Sequence, residues 1–171
     1  MDRASLAFGR TLDGLMLVAC LLLLAMAFLI GADVVGRNAR LGGIPWSGEV
    51  SENILYLLTL LTAPWLLRQG QHIRVDILLR ALPLRLGWLL EWVGDLLGLV
   101  CSLYFVWYGW KVLAASYQAS AISIKTLVTP EWWLLAPLPL AFLLLAAEFV
   151  FRMHRLVRGE RAPRTDAASA A

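Results

Sequence analysis

The chain has 171 residues, 60% of them hydrophobic, with a mean hydropathy of +0.72 and a net charge of +3. Soluble globular proteins are nearer half apolar, so the composition excludes a soluble domain of any size and points to a single integral membrane domain. The basic residues sit in polar connections and tails, which fits membrane orientation and not nucleic-acid binding.

Met1 to Thr11 is a polar start carrying Arg3 and Arg10. Leu15 to Ala32 follows as 18 uncharged residues, about 27 Å of helix and enough to span. This run is too long for a signal-peptide core and no A-x-A site follows it, so a retained helix is expected. Asp33 and Arg37 come next, four apart on one helical face, where they can pair. Asn38 to Pro45 is a loop marked by Gly42, Gly43 and Pro45. Ser47 begins the second helix, with Glu49 and Glu52 in its first turns, where the helix dipole favours negative charge. The uncharged run from Asn53 to Leu67 is only 15 residues, so the helix borrows its polar first turns to span. That places Glu52 near the interface or against a protein partner.

Arg68 to Arg85 is a connection holding Arg68, Arg74, Arg80, Arg85, His72 and Asp76. Within it, Ile73 to Leu82 is amphipathic and stops at Pro83, as a short interfacial helix would. Leu86 to Trp110 is the third span, with Glu91 and Asp95 four apart near its start. Lys111 to Pro130 is a mixed connection whose first part continues the helix. Trp132 to Phe151 is the fourth span, with Pro137 and Pro139 near its start and Glu148 near its end. The expected fold is therefore an all-α integral membrane protein. Its four transmembrane helices fall at about 12–36, 48–68, 86–110 and 131–152, within a membrane domain 1–158. The tail 159–171 is small and polar, with the composition of a disordered segment.

With four spans, both termini share a side with the middle connection. That side carries eleven arginines and the other side four basic residues, which predicts cytoplasmic termini. Trp46, Trp107, Trp110, Trp132 and Trp133 then mark the outer interface, and Trp65, Trp88 and Trp92 the inner one. Cys20 and Cys101 lie inside apolar runs, as packing residues and not as a disulfide.

A charge at the centre of a bilayer costs about 2.5–3.5 kcal/mol, so Glu91 and Asp95 need an account. One reading is a proton or cation path through a small oligomeric channel or exporter. The other is pairing near headgroup depth with Arg68, Arg85 or a partner subunit. The second fits better, because Leu96 to Val106 offers only Cys101 and Ser102 as polar steps. His72 is read as a loop residue bonded to a neighbour such as Asp76. Arg37 with Glu49 or Glu52 ties the first outer loop to the second helix or to another chain, or binds an anionic solute. The chain lacks a Gly-rich phosphate loop, an HExxH motif and a Cys/His cluster, and both histidines fall outside the spans. Haem ligation, a metal site and a catalytic constellation are thereby disfavoured, including that of a lipid-modifying enzyme. No cofactor is expected.

Three stretches together are distinctive: Arg37 after the first helix, Trp46-Ser47-Gly48-Glu49 entering the second, and Arg68-Gln69-Gly70-Gln71-His72-Ile73-Arg74-Val75-Asp76 leaving it. With Thr129-Pro130-Glu131-Trp132-Trp133 before a proline-containing helix, the chain resembles the small permease subunit of tripartite ATP-independent periplasmic (TRAP) transporters, the DctQ-like family, over about Leu12 to Arg152. The resemblance implies a four-helix inner-membrane subunit of a bacterial secondary transporter. It would work with a large permease subunit and a periplasmic solute-binding protein, importing organic anions such as carboxylates on an ion gradient. It would act as a scaffold, with the substrate and ion sites in the large subunit. Arg37, Trp46, Glu49, Glu52, Arg68, His72, Asp76, Glu91 and Asp95 are then the candidate interface or structural residues.

Overall fold

The computed structural model describes residues 2–40, 42–69 and 84–158. Helix α1 (Asp2–Asn38) is followed by α2 (Ser47–Arg68) and α3 (Leu84–Gln118). Strands β1 (Ile122–Ile124) and β2 (Val128–Pro130) form a hairpin. A short helix α4 (Glu131–Leu135) and a long helix α5 (Pro137–Arg158) follow. Among the described residues, four helical stretches are long and apolar enough to cross a membrane: Ser5–Asn38, Ser47–Arg68, Leu86–Gln118 and Glu131–Val157. The expected interfacial helix Ile73–Leu82 and the tail 159–171 lie outside the described residues. The hairpin is a departure from an all-α fold.

The helices form a row and not a closed bundle. α1 packs on α2, α2 on α5, and α5 on α3. α5 is thus an inner helix of the row, and a third of its most apolar window is buried against 6% for α1. The apolar core lies where α2, α3 and α5 meet, at Leu67, Leu145 and Phe149, with Leu99 and Phe142 against them. α3 and α5 run antiparallel, with Phe105 stacked on Phe142 at 4.6 Å between centroids. Gly98 faces the Phe149 ring so closely that a Cβ there would clash, so the absence of a side chain sets the spacing of these helices. Phe8 of α1 meets Phe151 of α5 at 5.4 Å.

Local chemistry explains the element ends. Pro137 supplies no N–H, so the α4 ladder stops before it and α5 starts on it, where a proline is tolerated. α3 ends differently. Ser120 takes a left-handed φ of 48°, and Ala121 N donates to Ser116 O at 3.1 Å. That closes the helix in the manner usually given to glycine. Inside the spans, three hydroxyls bond to their own helix. Thr59, Thr62 and Ser102 donate to the carbonyls of Leu55, Leu58 and Gly98 at 2.9, 2.9 and 2.7 Å. Cys20 and Cys101 are free thiols exposed on helix surfaces, not packed inside as their apolar settings suggested.

Candidate functional site: two polar layers at the ends of the row

At the Arg68 end the helices meet through buried charge. Arg152 of α5 lies between two acids of α3: its Nε is 2.9 Å from Asp95 Oδ1 and its Nη2 is 3.7 Å from Glu91 Oε1. Arg152 Nη1 also donates to Leu67 O of α2 at 3.3 Å. One turn back on α5, Glu148 takes Arg68 of α2 at 3.2 Å on one oxygen and Arg155 on the other. Arg68 Nη2 donates in turn to Ser5 O of α1 at 3.0 Å. Glu148 is fully buried, and Asp95, Arg152 and Glu91 are 4%, 5% and 7% exposed. The cluster is two trios, one cation between two anions and one anion between two cations. Each trio carries one net charge of opposite sign, and the shared helix places them side by side. The six charges cancel, which is what allows them out of water.

The expectation that Glu91 and Asp95 pair with Arg68 is corrected here. Arg68 is held by Glu148, and Arg152 serves the two α3 acids. The side chain of Arg85 lies outside the described residues. Arg152 lies just past the expected fourth span Trp132 to Phe151, at the start of the basic tail. The signal that could have found it is the run Glu148, Arg152, Arg155, which lies on one face of a helix and mirrors the four-residue spacing of Glu91 and Asp95. Beside the cluster, the rings of Trp88 and Trp92 lie 6.5 Å apart. Their buried Nε1 atoms have no hydrogen-bond partner among the described residues. Trp65 Nε1 donates to Asp13 Oδ1 of α1 at 3.0 Å.

The Ser47 end is held more loosely. Arg37 pairs with Asp33 at 2.7 Å, as their spacing predicts, and not with Glu49 or Glu52. Asp33 Oδ1 accepts from Ile44 N at 2.6 Å, so the aspartate and not the arginine fastens the first loop. Glu49 and Glu52 reach the hairpin instead. Glu49 Oε2 accepts from Leu127 N at 3.0 Å, and Lys125 Nζ lies 3.2 Å from Glu52 Oε2. Trp46 occupies the cap of α2 without a side-chain cap bond and is partly exposed. Lys111, on the continuing α3, stands 5.6 Å over Trp107 and 5.8 Å over Tyr108. His72 and Asp76 lie outside the described residues.

Between the two layers the row is apolar. An open groove of about 500 Å³ is lined by Leu15, Leu57, Leu61, Trp133, Leu140 and Leu144, among others. It offers a polar solute no partner. Among the described residues no three His, Cys, Asp or Glu side chains gather as a metal site would require.

No curated relative matches the chain. Residues 26–159 match the family described as tripartite ATP-independent periplasmic transporters, DctQ component. That stretch contains α2, α3, the hairpin, α4, α5 and every residue of the buried charge cluster. The chain therefore belongs to the DctQ family, as a multi-pass small permease subunit of a TRAP transporter.

Proposed function

We propose that this subunit is a scaffold for the large TRAP permease in a bacterial inner membrane and carries no solute site of its own. The assembled system would import organic anions, carboxylates among them, on an ion gradient, with a periplasmic binding protein delivering the solute. One observation carries this reading: among the described residues the buried charges are matched within the chain at the two ends of the row, and the region between the two layers is apolar. A channel built on Glu91 and Asp95 would have to release them from Arg152. The imbalance of basic residues, eleven to four, supports cytoplasmic termini, with the Arg68 end inward and the Ser47 end outward. His72, Asp76 and the far charges Arg37, Glu49 and Glu52 are then residues for contact with other chains, alongside Trp46.

Affinity purification of the tagged chain should bring down a permease with many more spans. Liposomes should then show solute uptake only when both membrane subunits and the binding protein are present. Full-rate uptake by the large subunit alone overturns the scaffold role, and ion flux through this chain alone, lost in Glu91→Gln/Asp95→Asn, restores the channel reading. Arg68→Ala or Asp76→Ala should lower the yield of the complex more than its solute affinity.

A further inference from the structure

The hairpin turns its apolar face away from its own protein. Its register pairs Ile122 with Pro130, Ser123 with Thr129 and Ile124 with Val128. Residues opposite one another in an antiparallel ladder share a face. Ser123 and Thr129 are half-buried on the inner face, while Ile122, Ile124 and Val128 are 57%, 75% and 65% exposed on the other. The hairpin does not roll over to hide them, because its turn is held to α2 by Glu49 on Leu127 N and by Glu52 near Lys125.

The height of this face is set by α2. Glu49 and Arg68 stand 19 residues apart, about 28 Å along the helix axis, close to the roughly 30 Å of a hydrocarbon core. With the buried charge layer at Arg68 as one boundary, the other falls at Glu49, where the hairpin is fastened. Interfacial aromatic residues lie beside it: Tyr117, Trp132 and Trp133 make edge-to-face contacts at 5.8 Å each, and Tyr117 and Trp133 are largely exposed. A two-stranded ladder has open edges whose N–H and C=O groups need water, so it cannot enter hydrocarbon but can lie at headgroup depth. The exposed face carries aliphatic side chains only, without the Tyr, Trp or Arg anchors that concentrate at protein–protein contacts.

We propose that residues 122–130 are a lipid-seated anchor, with Ile122, Ile124 and Val128 resting in the headgroup–acyl boundary of the leaflet at the Ser47 end. The hairpin then fixes the height of the row in the bilayer. The proposal rests on the membrane-spanning reading of the chain and is independent of the solute and of the large subunit.

The test uses the full chain with Cys20 and Cys101 changed to Ala and a polarity-sensitive fluorophore attached at Ile124→Cys, at Val128→Cys or, as a mid-span reference, at Leu103→Cys. Each is reconstituted into phosphatidylcholine–phosphatidylglycerol vesicles containing lipid brominated near either the carbonyl or the methyl end of its acyl chains. Labels at 124 and 128 should emit as in a low-polarity setting and be quenched about twofold more by the shallow bromine, whereas the label at 103 should favour the deep one. Quenching at 103 together with water-like, unquenched emission at 124 and 128 overturns the anchor while leaving the spanning helices intact. No quenching at 103 overturns the membrane reading itself. Loss of water-like emission at 124 only when the large subunit is added overturns the lipid assignment in favour of a protein partner.

Discussion

The two ends of the row use the same residue types to different effect. At the Arg68 end three acids and three arginines from α2, α3 and α5 lie together, and four of the six are nearly or fully buried. At the Ser47 end Lys125 and Glu52 form a pair with both side chains about half or more exposed, and Glu49 bonds a backbone N–H. Screening by water and ions makes an exposed pair nearly worthless for stability. A buried one stabilises little in total but is costly to break, because the surviving partner is left charged in a low-dielectric setting. The first end therefore specifies which helices meet, and the second trims the position of a loop.

Substitutions should reproduce this ranking. The largest effect is expected from Arg152→Leu, which removes the shared cation from Asp95 and Glu91; about 3–5 kcal/mol of destabilisation should appear as loss of monodisperse protein and a lowered melting temperature in detergent. Adding Asp95→Leu and Glu91→Leu to it should recover most of the loss, which separates stranded charge from lost contact. Gly98→Val comes next, at about 1–3 kcal/mol, since its side chain would meet the Phe149 ring. The same assay reads it, and Phe149→Leu in the same chain should partly relieve it. Arg68→Ala should cost about 1–3 kcal/mol, less than Arg152→Leu because Glu148 keeps Arg155. It should also loosen the start of α1, read as faster proteolysis near Ser5. Lys125→Ala closes the series at about 0–1 kcal/mol. A loss at Lys125 equal to that at Arg152 would erase the contrast between the ends.

The four apolar helices were legible in the sequence, because long uncharged runs between charged residues leave little alternative in a membrane. The hairpin was not. Its strands are three residues each, and the intervening Lys125-Thr126-Leu127 has none of the Gly, Asn or Asp that usually signals a turn. The far end of α3 was hidden for a similar reason, since Ser120 and not a glycine takes the left-handed position that closes it. The buried cluster was half legible. Glu91 and Asp95 stood out as charges needing partners, but the row order that sets α5 between α2 and α3 is a tertiary fact, and it chose Arg152 over Arg68. Asp33 and Arg37 were legible because their contact is local.

The place of α5 has a consequence for biosynthesis. Chains are made from the N-terminus, and α5 leaves the ribosome after α1, α2 and α3. Until it arrives, Arg68 has no Glu148, and Asp95 and Glu91 have no Arg152. The first three helices thus enter the membrane with their mutual attachment incomplete, and the fold closes only when α5 inserts between helices already in place. A chain stopped before Pro137 would present a quality-control protease with one arginine and two acids lacking those partners, which makes completion of α5 the step that separates a stable subunit from one to be degraded.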